Sequence, residues 1–406
     1  MINVCPFPSK VIFLISLMLF FSCGKFSKQS IETIIIKKSD VTETQIIENI
    51  DGKGLEGYET RELKPEVFFE SKAKIRCAIL INDGKLYFGN ENSEFYAVDI
   101  ATKQMLWKYS TDEPVQTWPV FTDGKIIFNS GNNLYILDSE NGYEIHKITY
   151  PSEYSFRVSQ EAFAFNDSYT AVSDGIAYFA ALNGDIVAVD IKKGKIIWSF
   201  AAKNSGAVAS GVNYYDGKLY YCDFAGYLCC IDVKTRRMLF QNQLEERVFA
   251  PMYISEGMIY LAGRKCIMFC IDAERGKEIW SSYSYDTTTW FSGGSVSIGN
   301  TLFACTSDEH SVVAFDKYSG KFIRLYPTQL NAYTKPVVHG ENIVVAAVNV
   351  YSFQSSYIME FDTRNHVELW QITLDDCVLS APAIYKDVLY FGADSGKIYN
   401  LVLNGD

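Results

Sequence analysis

From residue 82 onward, short apolar runs follow a polar pair at regular spacing: "NDGKLYFG", "TDGKIIFN", "SDGIAYFA", "YDGKLYYC", "SEGMIYLA" and "KDVLYFGA". Asp-Gly is a strong signal for a two-residue hairpin turn. The β-branched and aromatic residues behind it suit a pleated, half-buried strand. A second phrase follows each run, as in "AVDIATKQMLW", "AVDIKKGKIIW", "CIDAERGKEIW" and "EFDTRNHVELW". No part of this region keeps a helical period, so the predicted elements are strands alone.

Aligned on the aspartate of the second phrase, seven copies run along the chain: Asp99, Asp138, Asp190, Asp232, Asp272, Asp316 and Asp362. An eighth, "GKIYNLV", puts Val402 in that column; the spacings of 39, 52, 42, 40, 44, 46 and 40 give a period near 42. Eight positions after the aspartates stand Trp107, His146, Trp198, Phe240, Trp280, Arg324 and Trp370. Four short antiparallel strands in about 40–45 residues make a propeller blade. The predicted fold is therefore all-β, an eight-bladed β-propeller of four-stranded antiparallel blades. The last copy lacks an outer strand, and "PEVFFESK" before the first blade supplies an orphan one. The expected closure pairs this strand, about residues 66–70, with the strand around Ile398 to Leu403; the alternative is seven blades and a loose tail.

The aspartate and ring columns resemble the PQQ-like β-propeller repeat family, over nearly everything from Cys77 to the C-terminus. The resemblance implies the fold strongly and the function weakly, because the fold hosts unrelated activities. Recurrence once per blade favours structural roles. Trp107, Trp198, Trp280 and Trp370 are expected to wedge blade against blade, and Asp99, Asp190, Asp272 and Asp362 to accept backbone N–H bonds in the turn that follows. Glycine four after the aspartate (Gly142, Gly194, Gly276, Gly320) is expected for the positive φ of a tight turn.

Composition narrows the class. With 48% hydrophobic and 15% aromatic residues, the chain can bury a large core, and a net charge of -11 argues against nucleic acid. Lys10, the apolar run Val11 to Phe21 and then Ser22-Cys23-Gly24 read as a secretory signal, since a helix of this run spans only about 16 Å. The triplet resembles a bacterial lipoprotein signal. That implies a signal peptide at 1–22, lipidation of Cys23, a polar tether over 23–63 and the propeller over 64–406. Gly24 after the cysteine implies the outer membrane, on its periplasmic face.

Beyond Cys5 in the signal and Cys23, eight cysteines remain, of which Cys222, Cys230, Cys270 and Cys305 share columns with Gly or Ala, so compact buried thiols are expected. Vicinal Cys229-Cys230 invites comparison with quinoprotein alcohol dehydrogenases, which set a vicinal disulfide and a Ca²⁺ ion against PQQ. Here the pair lies in a predicted strand, where neighbours face opposite ways, and PQQ is not expected. His146, His310, His339 and His366 are scattered, with no C-x-x-C, H-E-x-x-H or G-x-S-x-G. No catalytic residue and no metal site is predicted.

Function is expected on the inter-blade loops. The candidates are Tyr154 and Phe156 in the longest connection, and Tyr283, Tyr285, Trp290 and Phe291 in "SSYSYDTTTWFSGG"; "NVYSFQSSY" is an insertion in the seventh repeat. Tyrosine and tryptophan on loops give large contact area at low entropic cost. A lipid-anchored propeller of eight such repeats resembles the BamB family. That implies a non-enzymatic scaffold working with envelope proteins, the β-barrel assembly machinery foremost. An envelope glycan- or protein-binding module and a quinoprotein enzyme or sensor stand as alternatives.

Overall fold

The computed structural model describes residues 63–151, 169–201, 208, 210–223, 225–244, 247–248, 250–263, 265, 267–283 and 290–403. Cys23, Tyr154, Phe156, Cys266 and Tyr285 lie outside them. Among the described residues there are thirty-two strands and no helix, in eight four-stranded antiparallel sheets. Blade 1 shows the pattern: a short inner strand Leu80–Asn82, then Lys85–Gly89, Glu94–Asp99 and an outer strand Met105–Ser110. Each strand hydrogen-bonds the next. Inner strands of successive blades lie against one another, Leu80–Asn82 touching both Val120–Thr122 and Ala383–Tyr385, so the blades close into an eight-bladed propeller.

Closure is made by the N-terminal strand. Glu66–Glu70 pairs antiparallel with Lys397–Val402, Glu66 opposite Asn400 and Glu70 opposite Lys397, and becomes the outer strand of blade 8. This leaves no unmatched edge inside that blade. Beyond the strand the seam is fixed by Ile75, fully buried against Gly392, where an added Cβ would meet its side chain at 2.4 Å. Arg76 lies beside it and clamps Asp394 through both carboxylate oxygens, at 2.9 and 2.7 Å.

Two faces follow from this path. One carries the first hairpin turn of each blade and the turn after each repeat aspartate. The other carries the connections between blades and the remaining hairpin. On the first face Asp83-Gly84, Asp123-Gly124, Asp174-Gly175 and Asp216-Gly217 all have positive φ at both residues, as a type I′ turn requires. Lys386-Asp387 adopts the same shape without glycine. The aspartate turns are alike in all seven copies. The carboxylate accepts the N–H three residues on, from Thr102 at 2.7 Å in blade 1 to Asn365 at 2.9 Å in blade 7.

The core is a set of clusters between blades. Trp107 and Trp280 are about nine-tenths buried, and each N–H is satisfied by a carbonyl of the next blade, Ser139 at 3.0 Å and Lys317 at 3.2 Å. Glycine in the fourth column has a second reason. Gly142, Gly194, Gly276 and Gly320 each sit under the ring of the preceding blade, and a Cβ there would approach Trp107, His146, Phe240 or Trp280 at 2.4–2.7 Å. Lys103, Arg236 and His366 hold φ near 59° in the same column. The turn alone does not demand glycine; at these four positions the ring packed over the backbone leaves no room for a side chain.

Candidate functional site

The seven described cysteines are free and buried. Burial pushes the Cys77, Cys229 and Cys377 thiols up to about 12 and those of Cys230 and Cys270 to about 11, far from thiolate chemistry. Adjacent Cys229 and Cys230 join different clusters, the first between blades 3 and 4 and the second between blades 4 and 5. They do not present a joint surface. Among the described residues no group of three His, Cys, Asp or Glu could hold a metal ion.

Blade 7 departs from the repeat at one buried carboxylate. Glu360 takes the column of Ala97 and Ala188 and is 3% exposed. His339 Nδ1 at 2.7 Å, Asn342 Nδ2 at 2.8 Å and Trp370 Nε1 at 2.7 Å surround it. Trp370 thus donates within its own blade, where Trp107 and Trp280 donate across to the next. All three side chains engage the one carboxylate, so the network reads as packing.

The loop face differs. Trp290 is half-buried and meets Tyr333 edge-on with ring centroids 6.1 Å apart. Both pack with Phe353, Val350, Cys377 and Leu379 in a cluster that joins loops of blades 6, 7 and 8. Tyr333 Oη lies 3.0 Å from Ser307 Oγ, and burial pushes this phenol up to about 12. Above the cluster stands the hairpin inserted in blade 7. Its backbone is closed by Asn349 N–H to Ser355 O at 3.0 Å and Phe353 N–H to Asn349 O at 2.7 Å. The tip, Tyr351, is 88% exposed. Beside it opens a cleft of about 510 Å³ lined by Ser352, Phe353, Gln354, Ser355, Asp375 and Asp376.

One wall of the cleft is rigid. Asp376 accepts the N–H groups of Cys377 at 2.8 Å and Ser395 at 3.1 Å, the Tyr399 hydroxyl at 3.1 Å and the Ser395 hydroxyl. Asp375 next to it is exposed. An acidic, hydroxyl-lined cleft under an exposed tyrosine, on a fixed base, can hold a polar or cationic segment of a partner.

The predicted loop residues fare unequally. Tyr283 is 53% exposed at the end of the strand Glu278–Tyr283. Trp290 contributes one half-buried face. Phe291 is corrected: it begins the strand Phe291–Ile298, is 0% exposed and packs on Phe315 with centroids 6.2 Å apart. The chain enters the interior where the strand begins, every residue from Phe291 to Val296 being buried, while Trp290 just before it stays half-buried. Tyr351 and the cleft were missed as residues. Their signal is the extra length of "NVYSFQSSY", where other blades turn within a few residues.

Comparison with known proteins adds a family. The family model described as "Outer membrane protein assembly factor BamB" matches residues 69–201 and 182–404. The outer membrane protein assembly factor BamB of Moranella endobia (strain PCIT) is 22% identical over 297 residues, covering 68% of this chain and 71% of that protein. The dehydrogenase subunit of a quinone alcohol dehydrogenase from Gluconacetobacter polyoxogenes is 25% identical over 139 residues, covering only 28% of this chain and 19% of that one. The crystal structure of BamB from Moraxella catarrhalis superposes with a TM-score of 0.65 at 12% identity, over 84% of this chain and 100% of that one, a likeness of fold. Matched along almost the whole propeller, the chain belongs to the family described as outer membrane protein assembly factor BamB.

Proposed function

We propose that the protein is a non-enzymatic, lipid-anchored scaffold on the periplasmic face of the outer membrane. It supports β-barrel protein assembly by holding a component of the barrel-assembly machinery against its loop face. The family match along residues 69–404 carries this reading. The loop face supports it, since aromatic side chains of three blades and the exposed Tyr351 converge beside one cleft. Lipidation at Cys23 supplies the anchor, with residues 1–22 as signal peptide and 23–63 as tether. PQQ has no place in this role. Cys229 and Cys230 in separate clusters support that, and so does the short stretch shared with the dehydrogenase.

The test is affinity purification from crosslinked membranes through a C-terminal tag, with Cys23→Ala and Tyr351→Ala compared with the parent. Recovery of the barrel-assembly machinery, lost in Tyr351→Ala and reduced in Cys23→Ala, is expected. Recovery of a glycan-handling or unrelated envelope complex instead would replace the scaffold reading by a binding module. An absorbance change on adding PQQ and Ca²⁺ to the purified protein would reopen the enzyme reading.

A further inference from the structure

On the turn face, the hairpins that follow the repeat aspartates differ sharply in charge. In blade 3 the hairpin carries Lys192, Lys193 and Lys195; in blade 4 it carries Lys234, Arg236 and Arg237, all six exposed. This is a concentrated positive patch on a chain of net charge -11. Its own acids are Asp190 and Asp232, both turned into their turns, and among the described residues Lys193 is the one cation of the six in an ion pair, with Asp190 at 2.9 Å. Elsewhere on the face the hairpins carry fewer cations, and several of these are paired with acids. Blade 2 has Glu140 and Glu144, and blade 5 sets Glu274 and Glu278 against Arg275 and Lys277. Blade 1 pairs Lys103 with Glu66 at 3.5 Å, and blade 6 pairs Lys317 with Glu256 at 2.9 Å.

Aliphatic side chains stand beside the cations. In each of these blades a β-bulge follows the aspartate turn. Ala188 faces Trp198 but Val189 faces Ile196, and Cys230 faces Phe240 but Ile231 faces Met238. Ile197 and Leu239 are the residues left over, and they are 38% and 48% exposed, with Ile196 at 39%. The two hairpins are held side by side, because Trp198 and Met238 pack on the same cluster. The chain also enters the closing strand, at Glu66, from this face.

We propose that the hairpins of blades 3 and 4 form a docking surface for an anionic phospholipid bilayer. The cations meet headgroup phosphates, and Ile197 and Leu239 enter the interface between headgroups and acyl chains. Charge complementarity selects the anionic lipid, and the bulged aliphatic residues select a bilayer over an acidic polypeptide, which offers them nothing to enter. The loop face would then point away from the membrane, toward a partner.

The test is flotation of the mature chain, residues 23–406 carrying Cys23→Ala and so without the apolar run Val11 to Phe21, with vesicles of phosphatidylcholine alone or mixed with phosphatidylglycerol. Binding to the mixed vesicles is expected. It should weaken at least about tenfold in the quadruple variant Lys192→Glu, Lys195→Glu, Lys234→Glu and Arg237→Glu. Ile197→Ser with Leu239→Ser, which leaves every charge in place, should also weaken it. A reversal of equal size at Lys72, Lys103, Lys386 and Lys397 should leave it intact, and circular dichroism should show all variants folded. The proposal is overturned if the parent treats both vesicles alike, or if the distant reversal is as harmful as the local one. It also fails if the serine variant binds like the parent while polyglutamate competes for the cations, an outcome that marks an acidic protein site.

Discussion

The two faces of this propeller obey different rules. On the turn face seven aspartates make the same bond to the same position, and four glycines lie under four rings. On the loop face one buried bond recurs, from the side chain of Cys77, Thr117, Ser210 or Ser380 to the backbone twelve residues on, but the surface above it does not: blades 6 to 8 merge into one aromatic cluster, and among the described residues blade 7 raises an exposed tyrosine over a cleft. Repetition marks what every blade needs in order to stand. Departure from it marks where a partner can be distinguished.

The comparison breaks first at the rings. Gly142→Val on the turn face should cost about 3–5 kcal/mol, combining overlap with Trp107 and backbone strain at φ +72°. Gly124→Ala, with the same φ but nothing within 4 Å, should cost only about 1 kcal/mol. Denaturant unfolding of the two variants separates contact from conformation. If both cost the same, the glycine column belongs to the turn after all.

The seam comes next. Arg76→Met removes a two-pronged, mostly buried clamp on Asp394 and should lower stability by about 1–3 kcal/mol. Glu360→Ala strands the N–H groups of Trp370 and Asn342 in blade 7 and should cost a similar amount, read by the same unfolding curves.

A smaller effect appears with acid. The Thr102 N–H and hydroxyl hold Asp99 below the ordinary aspartate value of 3.8, and Lys193, Thr235 and Ser319 do the same for Asp190, Asp232 and Asp316. A lowered folded-state value means the unfolded chain takes up protons first. The contribution is whole at neutral pH and is lost as pH falls from about 3.8 through the lowered values. Thermal midpoints measured down through this window should therefore drop, and the drop should shrink in a variant with Asp190→Asn, Asp232→Asn and Asp316→Asn. Smallest of all is Tyr351→Ala. It should leave the midpoint within error, because the side chain is 88% exposed, while abolishing partner recovery.

The turn face was legible in the sequence because its signals are local. Asp-Gly fixes a turn within two residues, and the aspartate reaches its own turn three residues on. Closure was legible as well, since "PEVFFESK" had no hairpin partner nearby and the last repeat lacked a strand. Contacts across blades were not. Nothing near Gly142 in sequence announces Trp107, and Phe291 reads as a loop aromatic until the strand that begins with it is placed. The cleft was half legible, as length without chemistry: "NVYSFQSSY" shows an insertion, yet Asp375 and Asp376 come to it from the next connection.

The closing strand also sets a schedule. Ser71, just beyond it, donates both its N–H and its hydroxyl to the Gly396 carbonyl across a separation of 325 residues. A chain made from its N-terminus produces the first half of the seam at the start and the second half at the very end. Seven blades can stack in order as they emerge, each on its predecessor. The eighth must wait, and until it arrives the growing arc has two open ends. Completion is thus a single late event with the longest loop to close, and it should set the slowest step of folding.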